Sequence, residues 1–480
     1  MDKDKGFIDS YLKSNAREFF PFSDAIWTYA ELGCSEYKSS ELLCRLLESH
    51  GFKVAKGVAQ MPTAFVAEWG KGAPTIGFNC EYDALPGLSQ SEKETKEPVV
   101  AGAPGHGCGH NILGVGSIMA AVALKSWMQS LNATGTIKVF GTPAEEICVG
   151  KPFMAREGLF NGCDAILDWH PWDKNGANYD TCNAYFNIKY HFSGRTSHGN
   201  SPWEGRSALD TGLLMGHAIE MLREHIPPNT PDAANTMNYT FSDVGPEYAS
   251  VVPDRCTLWV VGRMNTSDLA ETIIQRLHKC AEGASIATGT SWRYEMITAS
   301  HEKIPNKNLA SVLHKNLVAI GPPAFDTSEI ELAKRWQKDL QITENGLSQT
   351  IEPFHGGASA VSDNSEFSWF APFAMVWIAG GPTGIGWHNW QISHCSGGTI
   401  GKKAMQVAAN VLSCAAIDLF KNPEILKEAQ KEHAESLSGR TYKPLLPEGT
   451  PPPIAINEKT MEKYRSLMAE FYKGHPASIT

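Results

Sequence analysis

Three residues with metal-binding side chains lie close together in the segment HGCGHN, at positions 106–111. His106, Cys108 and His110 alternate with glycines, which let the backbone bend so that the imidazole and thiol groups can converge on one point. This spacing is typical of a metal site. A buried cysteine with two hydrogen-bonded histidines in a loop is the alternative hypothesis, because both residue types also serve in protein cores.

Acidic and imidazole side chains also follow three predicted strands. These strands and the residues after them are 75–80 with Glu81 and Asp83, 136–141 with Glu145 and Glu146, and 165–169 with His170. Because α/β proteins bind ligands at the carboxyl ends of their strands, we expect Asp83, Glu146 and His170 to meet at one edge of a sheet. Adjacent side chains in extended chain point in opposite directions, so Glu145 and Glu146 can divide the roles of general base and metal ligand. Solvent-exposed acidic turns are the alternative.

The segments around these residues predict the elements that position them. Residues 112–128 mix small with larger apolar side chains, as in a helix buried against a sheet, and the amino-terminal end of that helix favours a thiolate at Cys108. The other predicted elements are two helices within 7–52, a strand at 65–69, an insertion or lid at 322–351, a buried strand at 375–381, a last helix at 402–420 and a tail beyond 444 that wraps a surface.

The pattern of the chain changes between residues 184 and 298. The predicted order there is strand, helix, strand, strand, helix, strand, which is the split βαβ order of a ferredoxin-like sandwich with its own core. We therefore predict an α/β fold in which a discontinuous mixed-sheet domain, residues 1–183 and 299–480, carries an inserted α+β domain at 184–298.

Composition narrows the class of protein. A formal net charge of -10 and the lack of any run of Lys and Arg argue against a nucleic-acid partner. The charged start has no secretory hydrophobic segment, and no stretch approaches about 18 uninterrupted apolar residues, so we expect neither secretion nor a membrane span. Eleven cysteines without a regular framework fit reduced thiols in the cytoplasm.

Five candidate metal ligands lie outside the inserted segment, with Glu145 beside them. They are Cys108, His110, Glu146, His170 and, from GWHNW at 386–390, His388. Five ligands of mixed sulfur, nitrogen and oxygen type are too many for one tetrahedral zinc ion. They suit two ions that share a bridging group.

The order of these motifs resembles that of the clan MH metallo-aminoacylase and carboxypeptidase family. Within it the chain is most similar to the N-acyl-amino-acid amidohydrolase subfamily and, through HGCGHN and the long tail, to the p-aminobenzoyl-glutamate hydrolase B subunits. The motifs run nearly end to end: WTYAEL (27–32), LESHGF (47–52), EYDALPGL (81–88), HGCGHN (106–111), PAEE (143–146), WHP (169–171), GRSALD (205–210) and WHNWQ (387–391). The resemblance implies a two-metal, aminopeptidase-like catalytic domain and an inserted dimerisation or lid domain.

The resemblance also implies a role for each candidate residue. Cys108 would bridge two divalent ions, zinc or manganese, where sister subfamilies use an aspartate. The remaining metal ligands would be His110, Glu146, His170 and His388.

Other residues would support the ligands or take part in the reaction. Glu145 would be the general base and acid, which takes a proton from the attacking water and gives it to the leaving amine. Asp83 would orient a ligand without binding an ion itself, and His106 would likewise have a supporting role. Glu81 stands where sister families place a metal-binding histidine, so it is not counted among the ligands.

The inserted domain contributes three further candidates by resemblance. GRTSHG at 194–199 is similar to the family segment whose histidine enters the partner subunit's site, which implies that His198 stabilises the oxyanion in trans. Arg263 would bind a substrate carboxylate, and Asn238 would contact the carbonyl group. A loop histidine and a solvated strand-end arginine without function are the alternatives. The resemblance implies a homodimer, or a heteromer with a paralogous subunit.

The expected chemistry is hydrolysis of an N-acyl or N-aroyl amino acid, aminobenzoyl-glutamate-like, or of a related small amide by a metal-dependent amidohydrolase. Deamination of an aromatic amine at the same site is a second hypothesis. A non-catalytic zinc-binding dimer is the third, but it leaves Glu145 without a role. Tryptophans near the motifs favour an aromatic or bulky substrate: Trp169, Trp172, Trp203, Trp387 and Trp390.

Overall fold

The structure is a computed structural model, and it describes residues 2–227, 234–246 and 248–471. Its strands are β1 (Lys53–Lys56), β2 (Phe65–Lys71), β3 (Thr75–Cys80), β4 (Gly135–Gly141), β5 (Ala165–Trp172), β6 (Tyr179–Thr181), β7 (Ala184–Ser193), β8 (Thr236–Gly245), β9 (Arg255–Met264), β10 (Ser291–Ser300), β11 (Gly356–Ala358) and β12 (Phe373–Ala379). Its α-helices are α1 (Lys3–Tyr29), α2 (Tyr37–Ser49), α3 (His110–Leu131), α4 (Gly150–Arg156), α5 (Ala208–Arg223), α6 (Ser267–Thr288), α7 (Lys307–Ile320), α8 (Thr327–Asp339), α9 (Trp390–Gly397), α10 (Thr399–Lys421), α11 (Pro423–Leu437) and α12 (Glu458–Phe471).

The first sheet brings the predicted strand ends to one edge. Its strand order is β1-β2-β4-β3-β5-β12. β3 runs parallel to β4 and β5, and β12 runs parallel to β5, whereas β2 is antiparallel to both of its neighbours. The carboxyl ends of β3, β4 and β5 therefore lie at the same edge. This arrangement confirms the predicted mixed-sheet α/β fold.

Helix α3 is the central helix behind this sheet. Every residue from 110 to 124 is buried, because strands β3, β4 and β5 and helices α1 and α10 all pack against this helix. The Ser413 hydroxyl on α10 donates a hydrogen bond to the Ala120 carbonyl at 3.1 Å. Among the described residues α3 alone has the length and composition of a membrane span, yet 89% of its most apolar stretch is buried inside the protein.

The second sheet is antiparallel, in the order β10-β7-β9-β8. Helices α5 and α6 pack against it, and their apolar side chains share a core with the sheet. Along the chain the order is β7, α5, β8, β9, α6, β10, as the alternation pattern predicted. The division into domains at 1–183 with 299–480 and at 184–298 stays a prediction.

Two predictions at strand ends of the first sheet are wrong. Glu145 and Glu146 lie in a 3-10 helix, Glu145–Ile147, and not in extended chain, because Ala144, three residues after β4, turns the backbone with a φ of 58°. The strand predicted at 165–169 is too short, since β5 continues to Trp172; His170 lies within its last three residues and so still at its carboxyl end.

The carboxyl-terminal half holds more helix than predicted. The helix predicted as the last, α10, is followed by α11 and α12, and the side-chain amide of Asn457 next to α12 donates to the Gly33 carbonyl at 2.9 Å. The segment 322–351 contains α8, which begins with a capping box between Asp326 and Glu329 and buries Trp336. Residues 472–480 of the predicted tail lie outside the described residues.

Candidate metal centre

Gly109 lets the chain turn between two of the predicted ligands. Its φ of +86° is in the left-handed region that favours glycine, and a Cβ at this position would lie 2.8 Å from the Cγ of Pro171. The turn places Cys108 two residues before His110, which is the first residue of α3. Both side chains are buried.

Asp83 connects the ends of β3 and β4 to helix α3. One oxygen, Oδ1, accepts a hydrogen bond from Nδ1 of His110 at 2.9 Å, and Oδ2 accepts one from the backbone N–H of Glu146 at 3.0 Å. Because Nδ1 is engaged in this way, Nε2 of His110 is left to face the site. A carboxylate that fixes an imidazole in this manner is the common support of a metal-binding histidine.

The five predicted ligands form two groups that share one residue. In each group one ligand atom from every residue lies within 4.8 Å of the others. The first group is Cys108, His110 and His170, and the second is Cys108, Glu146 and His388. The geometry thus offers two adjacent positions for a cation with the Cys108 sulfur common to both.

Short distances join the members of each group. Sγ of Cys108 lies 3.5 Å from Nε2 of His170, whose Nδ1 donates to the Pro171 carbonyl at 2.7 Å. In the second group Nε2 of His388 lies 3.4 Å from Oε2 of Glu146. The imidazole rings therefore present Nε2 to the site.

The loop that carries His388 is fastened to the HGCGHN segment. The backbone N–H of His388 donates to the Gly107 carbonyl at 3.0 Å. His388 has a φ of 66°, in the left-handed region that non-glycine residues adopt at a cost in free energy. Its side chain is 52% exposed, so this member of the second group faces solvent.

Two buried polar atoms at this edge of the sheet lack hydrogen-bond partners among the described residues and could bind a cation. Nε2 of His110 and Oε1 of Glu146 are buried and accept no hydrogen bond from the described residues. Burial, and then the negative charge of Glu146, raise the pKa of the Cys108 thiol well above its usual value, so a thiolate here requires a cation. Metal coordination deprotonates a thiol, and thiolate, imidazole and carboxylate are the donors that zinc takes.

Glu145 lies beside both groups. Its Oε2 is 3.8 Å from Nε2 of His110, and its side chain is 12% exposed. Burial, and next the negative charge of Glu81, raise the pKa of Glu145 to about 7. A carboxyl group with such a pKa can both accept and donate a proton near neutral pH.

His106 and His198 lie apart from the two groups. His106 is buried, and its Nε2 donates to the Ile26 carbonyl of α1 at 3.0 Å, so it anchors the loop before Cys108. His198 is exposed, and its Nδ1 accepts a hydrogen bond from the backbone N–H of Asn200 at 3.0 Å.

Arg263 and Asn238 belong to the second sheet. The Arg263 guanidinium lies 5.6 Å from the centre of the Tyr185 ring, and Asn238 is exposed on β8. No hydrogen bond or ion pair between described residues joins Arg263, Asn238 or His198 to the candidate ligands. Their roles in binding and catalysis stay predictions.

Three half-buried side chains, Trp172, Trp377 and Trp387, form a tryptophan wall beside the first group. The ring centre of Trp172 lies 5.3 Å from that of Trp377 and 4.8 Å from that of Trp387, and the Trp377 ring lies 5.5 Å from His170. The indole N–H of Trp387 donates to the Cys108 carbonyl at 3.1 Å. No sequence signal marks Trp377, because only the pairing of β12 with β5 places it opposite His170.

Two charged residues next to the first group were also not predicted as parts of the site. Oε2 of Glu81 lies 3.4 Å from Nε2 of His110, and Glu81, His110 and Glu145 form a third group that could hold a cation. Nζ of the fully buried Lys151 lies 2.8 Å from Oε1 of Glu81. No sequence signal marks Lys151, since a single lysine near the start of a helix is usually solvated.

Two solved structures share this fold. An aminobenzoyl-glutamate utilization protein from Klebsiella pneumoniae matches with a TM-score of 0.60 and 15% identity over 86% of this chain and 98% of that one. The YXEP protein of Bacillus subtilis, described as a dinuclear metal binding peptidase from the M20 family, matches with a TM-score of 0.53 and 18% identity over 85% and 99%.

The family of this chain follows from its similarity in sequence to a known protein and to a family model. The B subunit of the p-aminobenzoyl-glutamate hydrolase of Escherichia coli (strain K12) is 31% identical over 480 residues, which cover 93% of this chain and 98% of that protein. The model of the family described as Peptidase family M20/M25/M40 matches residues 77–479. The resemblance stated from the motifs is confirmed, and the chain belongs to Peptidase family M20/M25/M40.

Proposed function

We propose that this protein is a two-metal amidohydrolase that cleaves the amide bond of an N-acyl or N-aroyl amino acid or of a related small amide. The observation that carries the proposal is the pair of ligand groups joined at Cys108, with Glu145 beside them. The E. coli relative, which is named as part of a p-aminobenzoyl-glutamate hydrolase, supports the substrate class.

The residues that would hold the ions are those of the two groups. Cys108, His110 and His170 would hold one ion, and Cys108, Glu146 and His388 the other. Zinc suits the thiolate and imidazole donors, and manganese suits a site with carboxylate oxygen. When bound, such ions polarise the amide carbonyl and provide a nucleophilic water at neutral pH.

The chain's own residues orient these donors and move the proton. Asp83 holds His110 and the backbone of Glu146 in place. Glu145 takes the proton from the attacking water and passes it to the amine nitrogen as the C–N bond breaks, so that a carboxylic acid and an amine leave. The side chain of Glu145 is mostly shielded from solvent, which keeps the proton within the site.

The tryptophan wall supports an aroyl group as the acyl part. Trp172, Trp377 and Trp387 are half-buried, and the ring centres of Trp172 and Trp377 lie 6.4 Å and 5.5 Å from that of His170 in the first group. An aromatic ring that contacts indole faces removes apolar area from water and gains stacking energy. An acetyl group gains little from such a surface.

A product-resolved substrate screen tests the proposal. Chelated protein is given zinc or manganese, and p-aminobenzoyl, benzoyl and acetyl derivatives of several amino acids are compared by mass spectrometry. We expect release of acid and amine only with metal, and kcat/KM about 10-fold higher for aroyl than for acetyl compounds, equivalent to about 1.4 kcal/mol from burial of the ring. Loss of ammonia with an intact amide would favour the deaminase, and no turnover of any compound would favour the non-catalytic protein.

We further propose that the active unit is a homodimer in the cytoplasm in which His198 of one protomer serves the site of the other. His198 is exposed on the loop after β7 and is not joined to the ligands of its own chain by contacts of the described residues. A heteromer with a paralogous chain, as the name of the E. coli relative suggests for that protein, would use the same contact between chains.

Mixing of protomers tests the contribution of His198. His198→Ala and Glu145→Gln should each lower kcat by about 10²-fold or more, since each removes a group needed in the transition state. Refolding the two variants together should restore about a quarter of wild-type activity, because half of the random dimers are mixed and each mixed dimer has one complete site. A mixture with no more activity than its components would contradict action in trans.

A further inference from the structure

Lys151 is a fully buried cation with two carboxylate partners. Its Nζ lies 2.5 Å from Oδ1 of Asp363 and 2.8 Å from Oε1 of Glu81, and both of those side chains are also buried. The backbone N–H of Lys151 donates to the other oxygen of Asp363 at 3.1 Å. A buried charge is costly unless it is paired and hydrogen-bonded, so this geometry is strongly restrained.

The two oxygens of Glu81 face different surroundings. Oε1 lies 2.8 Å from the Lys151 ammonium group, and it accepts a hydrogen bond from the side-chain amide of Asn79, also at 2.8 Å. Oε2 is turned the other way and lies 3.4 Å from Nε2 of His110. Because one oxygen is held by two donors, the other has a fixed position beside the first ligand group.

Hydrogen bonds of Asn79 connect Glu81 to three strands of the first sheet. The amide of Asn79 also donates to Oδ2 of Asp168 at 3.1 Å, and its carbonyl oxygen accepts the Thr142 hydroxyl at 2.8 Å. The Asn79, Asp168 and Thr142 side chains belong to strands β3 and β5 and to the end of β4. The position of Glu81 is therefore set by the same parallel strands that carry the ligands.

We propose that Lys151 and Glu81 are positioning residues of the first ion, the one that Cys108, His110 and His170 would hold. Lys151, anchored by Asp363, fixes one oxygen of Glu81 so that the other oxygen places negative charge next to Nε2 of His110. That charge attracts the cation to Nε2, while Asp83 fixes the imidazole ring through Nδ1. The inference rests on the proposed metal centre and adds two residues that the family motifs did not assign to it.

Zinc binding to the metal-free protein tests the proposal without any substrate. The affinity of each zinc is measured by competition with a coloured chelator for wild type, Lys151→Met, Glu81→Gln and the double variant. Residues that support a metal ligand change affinity by about 10–100-fold, and we expect a loss of this size for one of the two ions in each single variant. The double variant should bind no more weakly than the weaker single variant, because Lys151 acts through Glu81.

A matched control separates positioning from general destabilisation. Glu366 forms an equally buried pair with His301, with Oε1 2.9 Å from Nδ1, and Glu366→Gln should lower the free energy of unfolding while leaving zinc affinity unchanged. If Lys151→Met does not fold, Glu81→Gln alone decides the question. Wild-type zinc affinity in Glu81→Gln, or losses that multiply in the double variant, would overturn the inference. Wild-type protein that binds no zinc or manganese would contradict the metal centre itself.

Discussion

Replacing Glu145 by glutamine is expected to lower kcat by about 10³-fold, because the amide cannot accept the proton that the carboxylate transfers to the leaving amine. Glutamine has nearly the same size as glutamate and leaves the 3-10 turn Glu145–Ile147 in place. KM and metal content should therefore stay close to the wild-type values. Initial rates on the best aroyl substrate and zinc analysis of the purified variant provide the measurement.

Glu146→Gln is the matched comparison, one position along the same turn. Glu146 has Oε2 3.4 Å from Nε2 of His388, so its replacement should lower metal content together with kcat. Glu157→Gln, an exposed carboxylate after α4, should leave both unchanged. Wild-type turnover in Glu145→Gln would refute the general base, and loss of metal from that variant would make Glu145 a ligand instead.

The parts of the site that could be predicted from sequence are those with local signals. Short apolar runs bounded by turn residues identify β3, β4 and β5, and parallel pairing then brings Asp83 and His170 to one edge. Cys108 and His110 stand out because glycines separate two unusual metal-binding residue types. For these residues the sequence already predicts a place in the site, and the structure adds the distances between them.

The parts that could not be predicted depend on contacts between distant segments. Trp377 faces His170 only because β12 pairs with β5 in one particular register. Lys151 becomes part of the site only because Asp363, far along the chain, meets it in the interior. The conformation around Glu145 could not be predicted for a local reason. Its neighbour Ala144 adopts a positive φ, which is not expected of an alanine.

Replacing Cys108 by alanine is expected to have the largest effect on metal binding of any single change. Its sulfur is the only ligand atom common to both groups of predicted ligands, so the substitution removes one donor from each ion at once. We expect metal content to fall from about two zinc ions per chain to less than one, and kcat/KM to fall by about 10³-fold or more, which corresponds to several kcal/mol of transition-state stabilisation.

Three further variants show whether the sulfur itself bridges two ions. His388→Ala removes a donor from the second group alone and should leave about one ion per chain. Cys108→Asp offers a carboxylate that can also bridge two cations, so it should retain more metal than Cys108→Ala. Cys414→Ser changes a thiol that is equally buried in α10 and should alter neither metal content nor activity. Suppose instead that Cys108→Ala kept one ion tightly bound while His388→Ala lost both. The sulfur would then bind a single ion, and a residue of the second group would be the ligand common to both ions.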